Sequence, residues 1–395
     1  MAYINFKEEN YKLNIELEKR KLNNDKYFTY IFKHKEKMDY SPWEKYSYKN
    51  IKELFLGKKG KLDENDFLVI SNKDIICAKF EDCIFSNIKF IDCNIIGCKF
   101  NNCKFDLGGV IFQNCIFIEE EDIKPPSLNN KINFSCEFYN CKLYCKFINC
   151  DLSYAIFEGC LIQNTSMETT FLKFAIMNKD KIDKITFTDC DLSSFKTHRC
   201  YIIDLEFDDK YMTKFDEKTF FDKIYPLKKD RDEYEGIYMT YETLANKFKE
   251  NSLNNNFGEY YYWCKRTEFN SLNFIAKIES LIYRISCGYG ERPMNALYMG
   301  ICLIILFAII YLLVGVEIGD EIVVYNFQTI KNLNLDKFIK DFNETLNLSS
   351  GSFLGVGAEN CKPIHKSYLI VDLEMLLGVV NMGVGIGTLT RKIIR

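Results

Sequence analysis

The sequence predicts a multidomain membrane protein: a β-solenoid, then a helical connector, then two apolar spans. Three observations predict it. Large apolar residues recur at every fifth position between residues 76 and 208. Apolar residues recur at helical spacing within 209–290. Near the C-terminus, 294–316 reads MNALYMGICLIILFAIIYLLVGV without a charge, and 368–390 reads YLIVDLEMLLGVVNMGVGIGTLT. The formal net charge of the 395 residues is −3, too small to argue for a nucleic-acid partner. The opening MAYINFKEENYKLNIELEKRK is charged from its seventh residue, so no secretory leader is expected. Residues 1–75 are expected to form a helical, capping region.

The five-residue beat starts at Phe80 and falls on Phe85, Phe90, Ile95, Phe100 and Phe105. Two residues before each stands a smaller or apolar residue: Ala78, Cys83, Ile88, Cys93, Cys98 and Cys103. The beat breaks near Leu107–Gly109 and returns at Phe112 and Phe117. A polar gap with Pro125 and Pro126 follows. The beat resumes at Phe138 and Leu143, slips by one residue, and continues from Phe147 to Phe207. Twelve of the seventeen cysteines stand two residues before a beat. A period of five fits neither helix nor strand, but fits a coil whose stacked turns share a core. Beat residues point inward with their small neighbours, and a buried cysteine is a small hydrophobe. The cysteines are therefore expected to be reduced packing residues, not zinc ligands or disulfides.

Pentads with a central Leu or Phe and a small residue two before it resemble the pentapeptide-repeat family, over roughly 76–118 and 132–208. The resemblance implies a right-handed quadrilateral β-helix over 76–208, four pentads per coil, with cysteine where the family usually has alanine. Some members of that family mimic DNA, which needs a strongly acidic face. Residues 132–208 carry eight Lys plus Arg against eleven Asp plus Glu, only mildly acidic, so a docking scaffold is the expectation and nucleic acid is not.

Residues 209–290 are expected to be a helical hairpin connector. In YETLANKFKENSLNNNFGEYYYWCKRTEFNSL, Leu244 and Phe248 mark one arm and Tyr260, Trp263 and Phe269 the other, with NSLNNNFG as the turn. The arm resembles the hairpin that follows the repeats in membrane-attached pentapeptide-repeat proteins. CGYGERP, 287–293, is expected to be a hinge rather than a phosphate loop.

The first span is placed at 291–318 and the second at 367–395. Twenty-three residues of helix at 294–316 reach about 35 Å, enough for a bilayer core of about 30 Å. The second span carries Asp372, Glu374 and Asn381, which at that depth are expected to face protein or water. Arg284 and Arg292 precede the first span, and Arg391, Lys392 and Arg395 end the second. Both termini are therefore expected on the cytoplasmic side of the cell membrane, with the thiols in a reducing compartment.

Residues 319–366 are expected to hold a turret, a pore helix and a filter. Phe338, Phe342 and Leu346 recur at four-residue spacing and lead into SSGSFLGVGAENCKP, 349–363. A glycine-flanked extended strand can turn its carbonyls toward an axis, and four copies then build rings of oxygens that replace an ion's hydration shell. Span, helix, G-x-G, span resembles the two-span pore-loop channels of the potassium-channel superfamily, including bacterial members, over about 290–395. By position, Leu354, Gly355, Val356 and Gly357 match that family's filter. The resemblance implies that their backbone carbonyls hold a monovalent cation, with Ser352 and Phe353 at the cavity-side entrance. Gly378 lies about where the family has its inner-helix hinge. With Asn381 and Gly385 it is expected to line the pore or form the hinge. An interhelical hydrogen bond is the alternative for Asn381. Glu374 is expected to brace the pore helix or filter. Phe353 stands where the family has Thr, Val356 where it has an aromatic, and Ala358 where it has an acid.

The expected function is a homotetrameric cation channel in the lipid bilayer, with potassium as the permeant ion and no other cofactor. The repeats are expected to serve regulation, or to dock a cytosolic ligand or protein. A weakly selective cation pore and a non-conducting membrane-anchored scaffold are the alternatives. No nucleophile–base pair, metal cluster or cofactor loop points to an enzyme, and His34, His198 and His365 are assigned no role.

Overall fold

The structure is a computed structural model. It describes residues 4–35, 41–59, 66–119, 134–319, 321–326, 334–358 and 360–394. The chain divides into two compact units, Met1–Ser271 and Leu272–Arg395.

In the first unit, parallel strands stack in register, at spacings of about twenty residues where the beat runs uninterrupted and wider where it does not. One sheet has seven rungs, starting Asn50–Lys52, Lys79–Glu81, Lys99–Asn101 and Glu137–Tyr139 and ending at Lys196–His198. A second face starts at Phe55–Gly57 and Ile84–Ser86, a third at Leu68–Ser71 and Ile88–Ile91, a fourth at Asp74–Ile76 and Asn94–Ile96. Each coil thus has four faces, and the beat residue of each face points inward. Phe80, Phe100, Phe138 and Phe157 stack along the axis at centroid spacings of 5.1, 4.8 and 4.8 Å. These match the strand spacing of about 4.8 Å.

Both irregularities of the beat are register shifts. The break at Leu107–Gly109 falls between Phe105 and Val110, and the one-residue slip falls between Leu143 and Lys146. Pro125 and Pro126 lie outside the described residues. The twelve beat-linked cysteines are free and buried. Eleven of these thiols donate to carbonyls of the coil below, among them Cys98 to Ile75 O at 3.2 Å, Cys141 to Phe100 O at 3.3 Å and Cys200 to Met177 O at 3.3 Å. Burial pushes the Cys190 thiol up to about 12, so it is an inert packing group. One column of small slots runs Cys83, Cys103, Cys141, Cys160, Asp180, Cys200, and the aspartate is as buried as its neighbours.

The solenoid is longer than 76–208. It begins with the parallel bridge of Pro42 to Asp74 and the rung at Asn50, and continues through bridges to Lys214 and Phe220. Residues 1–75 are therefore more than a cap. Helix α1 (Phe6–Lys33) lies along the coil flank: Lys196 Nζ pairs with Glu16 at 2.7 Å, Asn24 Nδ2 donates to Glu137 Oε1 at 2.8 Å, and buried Arg20 donates to Phe174 O. The expected hairpin is α2 (Arg231–Glu250) and α3 (Asn254–Glu268), with Phe248 stacked on Tyr260 at 4.8 Å. Asp230 caps α2 by accepting from Glu233 N. Tyr260 OH accepts from Phe221 N at 2.7 Å, which ties α3 to the last coil.

The 209–290 connector is divided between the units. Its last part is a further helix, α4 (Phe274–Cys287), which belongs with the second unit. There, α5 (Pro293–Val314) and α7 (Tyr368–Ile394) are long and apolar enough to cross a membrane by length and composition, and only a minority of each is buried. Between them lies α6 (Leu335–Leu354). A three-stranded antiparallel sheet of Val316–Ile318, Glu321–Val323 and Cys361–Pro363 closes one end of this bundle.

Candidate functional site

Asn334 opens α6, its Oδ1 accepting from Asp336 N at 3.1 Å. The buried face of the helix is Asp341, Thr345, Leu348, Ser349 and Ser352, and the Phe338–Phe342 stripe lies to one side, half-buried. Three helices meet at one carboxylate. Fully buried Glu374 of α7 accepts from Tyr311 OH of α5 at 2.6 Å and is bonded to Ser349 Oγ of α6. Ser349 Oγ also lies 2.8 Å from Ile304 O. Phe307, Tyr311, Val316, Leu348 and Cys361 pack into the apolar cluster beside it. Asp372 is exposed.

The glycine stretch differs from the extended strand expected for it. Ser352, Phe353 and Leu354 are the last residues of α6, and Gly355 ends the helix in the left-handed region at φ 74°. Val356 N and Gly357 N both donate to Gly351 O, at 2.8 and 3.1 Å, and Gly355 N donates to Ser352 O at 3.1 Å. This is a glycine helix cap of ordinary chemistry, which satisfies carbonyls the helix end would leave bare. Gly351 has to be glycine, because a Cβ there would strike the carbonyl of Gly357. The Gly357 carbonyl thus folds against the helix. Leu354 to Gly357 are exposed, whereas Ser352 and Phe353 are buried.

The other expected site residues gather on one contact face of α7. A Cβ at Gly378 would strike the Phe353 carbonyl, so this glycine permits close approach of α7 to the end of α6. Asn381 Nδ2 donates to Ala296 O of α5 at 3.0 Å, the interhelical alternative, while its Oδ1 is buried without a partner. Gly385 stands opposite Ala296. An apolar cavity of about 470 Å³ opens beside them, lined by Leu297, Ile301, Leu354, Ile386 and Leu389. At the far end of α7, Arg391 and Lys392 lie 3.5 and 3.8 Å from the buried Glu291 carboxylate. The expected hinge is a turn with Gly288, Tyr289 and Gly290 all at positive φ.

The tie between Glu374, Tyr311 and Ser349 was only half legible: the sequence marked Glu374 as a brace but not its partners. Among the described residues, no group of three or more His, Cys, Asp or Glu could hold a metal ion.

Residues 76–106 match the family model for pentapeptide repeats, with eight copies. No curated protein matches the chain. Among solved structures, full-length QnrB1, a plasmid-mediated fluoroquinolone resistance protein, is similar at 17% identity over 43% of this chain and 94% of its own, with a TM-score of 0.13. Two trypsin-treated variants of QnrB1 match at 18% and 16% identity, over 37% and 44% of this chain and 83% and 79% of theirs, with TM-scores of 0.12 and 0.13. The family match and the stacked strand ladders together make the first unit a β-solenoid built from pentapeptide repeats.

Proposed function

We propose that the chain is one subunit of a homotetrameric cation channel in the cell membrane, with α5 and α7 as its spans and both termini cytoplasmic. What supports this reading is α6: a helix held between two apolar helices by Glu374 and ended by a Gly-x-Gly loop. One chain supplies one quarter of each carbonyl ring, so closed fourfold symmetry is required. Potassium is the favoured permeant ion. Coordination by Leu354, Gly355, Val356 and Gly357 requires the loop to extend, which breaks the two bonds to Gly351 O. The folded loop is the non-conducting form. The repeats would dock a cytosolic ligand or protein and bias this equilibrium.

The second reading is a membrane-anchored scaffold that never conducts. The folded loop and buried Phe353, where related channels have Thr, favour it. The test is reversal potential in a planar bilayer, with potassium on one side and sodium on the other. Reversal near the potassium equilibrium potential means a selective filter. Reversal near zero, with current lost in Gly355→Ala, means a weakly selective cation pore. Absence of current in the wild type and in Gly351→Ala, which pushes the loop off the helix, means the scaffold.

A further inference from the structure

Helix α4 carries an apolar stripe that the fold leaves uncovered. Phe274, Ile275, Ile278, Leu281, Ile282 and Ile285 fall within about 120° of the helical wheel. In a soluble bundle such a stripe is buried. Here all six are exposed, Ile275 to 81%, while the residues that α4 buries are Ser286 and Cys287. The side of α4 away from the stripe makes its attachments within the second unit. Ser280 Oγ is 2.9 Å from Tyr289 OH, and Asn295 Nδ2 donates to Arg284 O at 3.2 Å. The Gly288–Gly290 turn then leads directly into Pro293, the first residue of α5, whose exposed Met294, Leu297 and Tyr298 continue the apolar surface.

We propose that α4 lies flat in the cytoplasmic headgroup layer of the bilayer, stripe inward, as an interfacial helix at the foot of the first span. The inference rests on the membrane reading of α5. With 14 residues the helix is too short to cross, since about 20 are needed. Its stripe and its continuity with the start of α5 fit an interface-parallel helix. Lys277 and Arg284, two turns apart along one edge of the stripe, suit anionic headgroups, and Glu279 stands beyond its other edge.

The test uses the full chain in phosphatidylcholine–phosphatidylglycerol vesicles, with lipids brominated either close to the headgroup or deep in the acyl chain. Tryptophan is introduced at exposed positions, so no packing is disturbed, and emission is compared with the parent protein. Ile278→Trp and Ile282→Trp are expected to lose much of their added emission to shallow-brominated lipid, and Tyr283→Trp, exposed on the side away from the stripe, to lose none. Ile305→Trp, within α5, is the control for the span and is expected to be quenched by deep bromines. If Ile305→Trp is quenched but Ile278→Trp and Ile282→Trp are not, the stripe is covered by protein, from this chain or a second copy, and the proposal is overturned. If Ile305→Trp is not quenched either, the membrane reading itself falls.

Discussion

Asp180 occupies a slot that Cys160 and Cys200 occupy in the coils on either side. Its Oδ1 accepts from Cys160 N at 2.6 Å, but its Oδ2 is buried without a partner. Asp180→Cys restores the repeat and removes an orphan oxygen costing ~1–3 kcal/mol, against loss of a hydrogen bond that contributes ~1 kcal/mol. A thiol partly replaces that bond, as Cys136 does by accepting from Cys98 N at 3.3 Å. The net expectation is a gain of about 1 kcal/mol at neutral pH, before ionisation is counted. Ionisation adds to it. Burial, and then the neighbouring Cys160, raise the Asp180 pKa well above its usual value. The unfolded chain releases this proton near pH ~4, and the folded chain holds it longer. The contribution of Asp180 is thus complete below about pH 4 and is lost as pH rises toward the folded value, with a limiting slope of ~1.4 kcal/mol per unit. From about pH 5 to about pH 7 the advantage of Asp180→Cys should widen by as much as ~2–3 kcal/mol. Both tryptophans, Trp43 and Trp263, lie in the solenoid unit, so urea unfolding of the full chain in detergent, followed by tryptophan emission, reads this unit alone. Equal midpoints for wild type and variant across that pH range would refute the reasoning.

Phe100→Ala removes the ring between Phe80 and Phe138 and should cost ~3–5 kcal/mol, read by the same emission assay. Glu374→Ala leaves the Tyr311 hydroxyl without its acceptor, while Ser349 keeps Ile304 O, and should cost ~1–3 kcal/mol. Faster alkylation of buried Cys361, followed by peptide mass spectrometry, reports that loosening, and Glu374→Gln should restore part of the protection. Gly378→Ala forces α7 off the Phe353 carbonyl. It should cost ~1–3 kcal/mol by overpacking and lower the thermal midpoint in detergent.

The solenoid was legible because one constraint repeats: every fifth residue must fill the same space. Its corners were equally periodic and went unread. Two residues after the beat, Asp82, Asn87, Asp92, Gly97 and Asn102 all take positive φ, a conformation that Asn, Asp and Gly tolerate best. The first coil was missed because the chain between Gly57 and Leu68 interrupts the beat, so the rungs at Asn50 and Phe55 stand alone in sequence. Helix α1 gave a pattern for a helix but none for its place, because Glu16, Arg20 and Asn24 find partners a hundred or more residues away. In the second unit, composition alone marked the two long apolar helices. The α4 stripe was present in the sequence but was absorbed into a connector whose other helices bury theirs.

The glycine loop shows why motif position does not determine conformation. Glycine at 355 and 357 permits both an extended strand and a left-handed cap, and the spacing is the same for either. What decides is where the backbone N–H groups of Val356 and Gly357 find acceptors. Within one chain, Gly351 O takes both, and Gly351 lacks the Cβ that would block it. Extension gives up both bonds and turns the carbonyls of Leu354 to Gly357 toward an axis, where only cations and three other subunits can offset their mutual repulsion. Placing a Cβ at 351 penalises the cap without touching the strand. Gly351→Ala should therefore raise conduction in a channel, whereas Gly355→Ala, strained by roughly 1–2 kcal/mol at a left-handed φ, should disfavour the cap as well. The two variants separate where the filter itself needs glycine: Gly351→Ala keeps Gly355 and Gly357 free to aim their carbonyls, and Gly355→Ala does not. Equal currents from both would mean that the loop contributes no coordinating carbonyls.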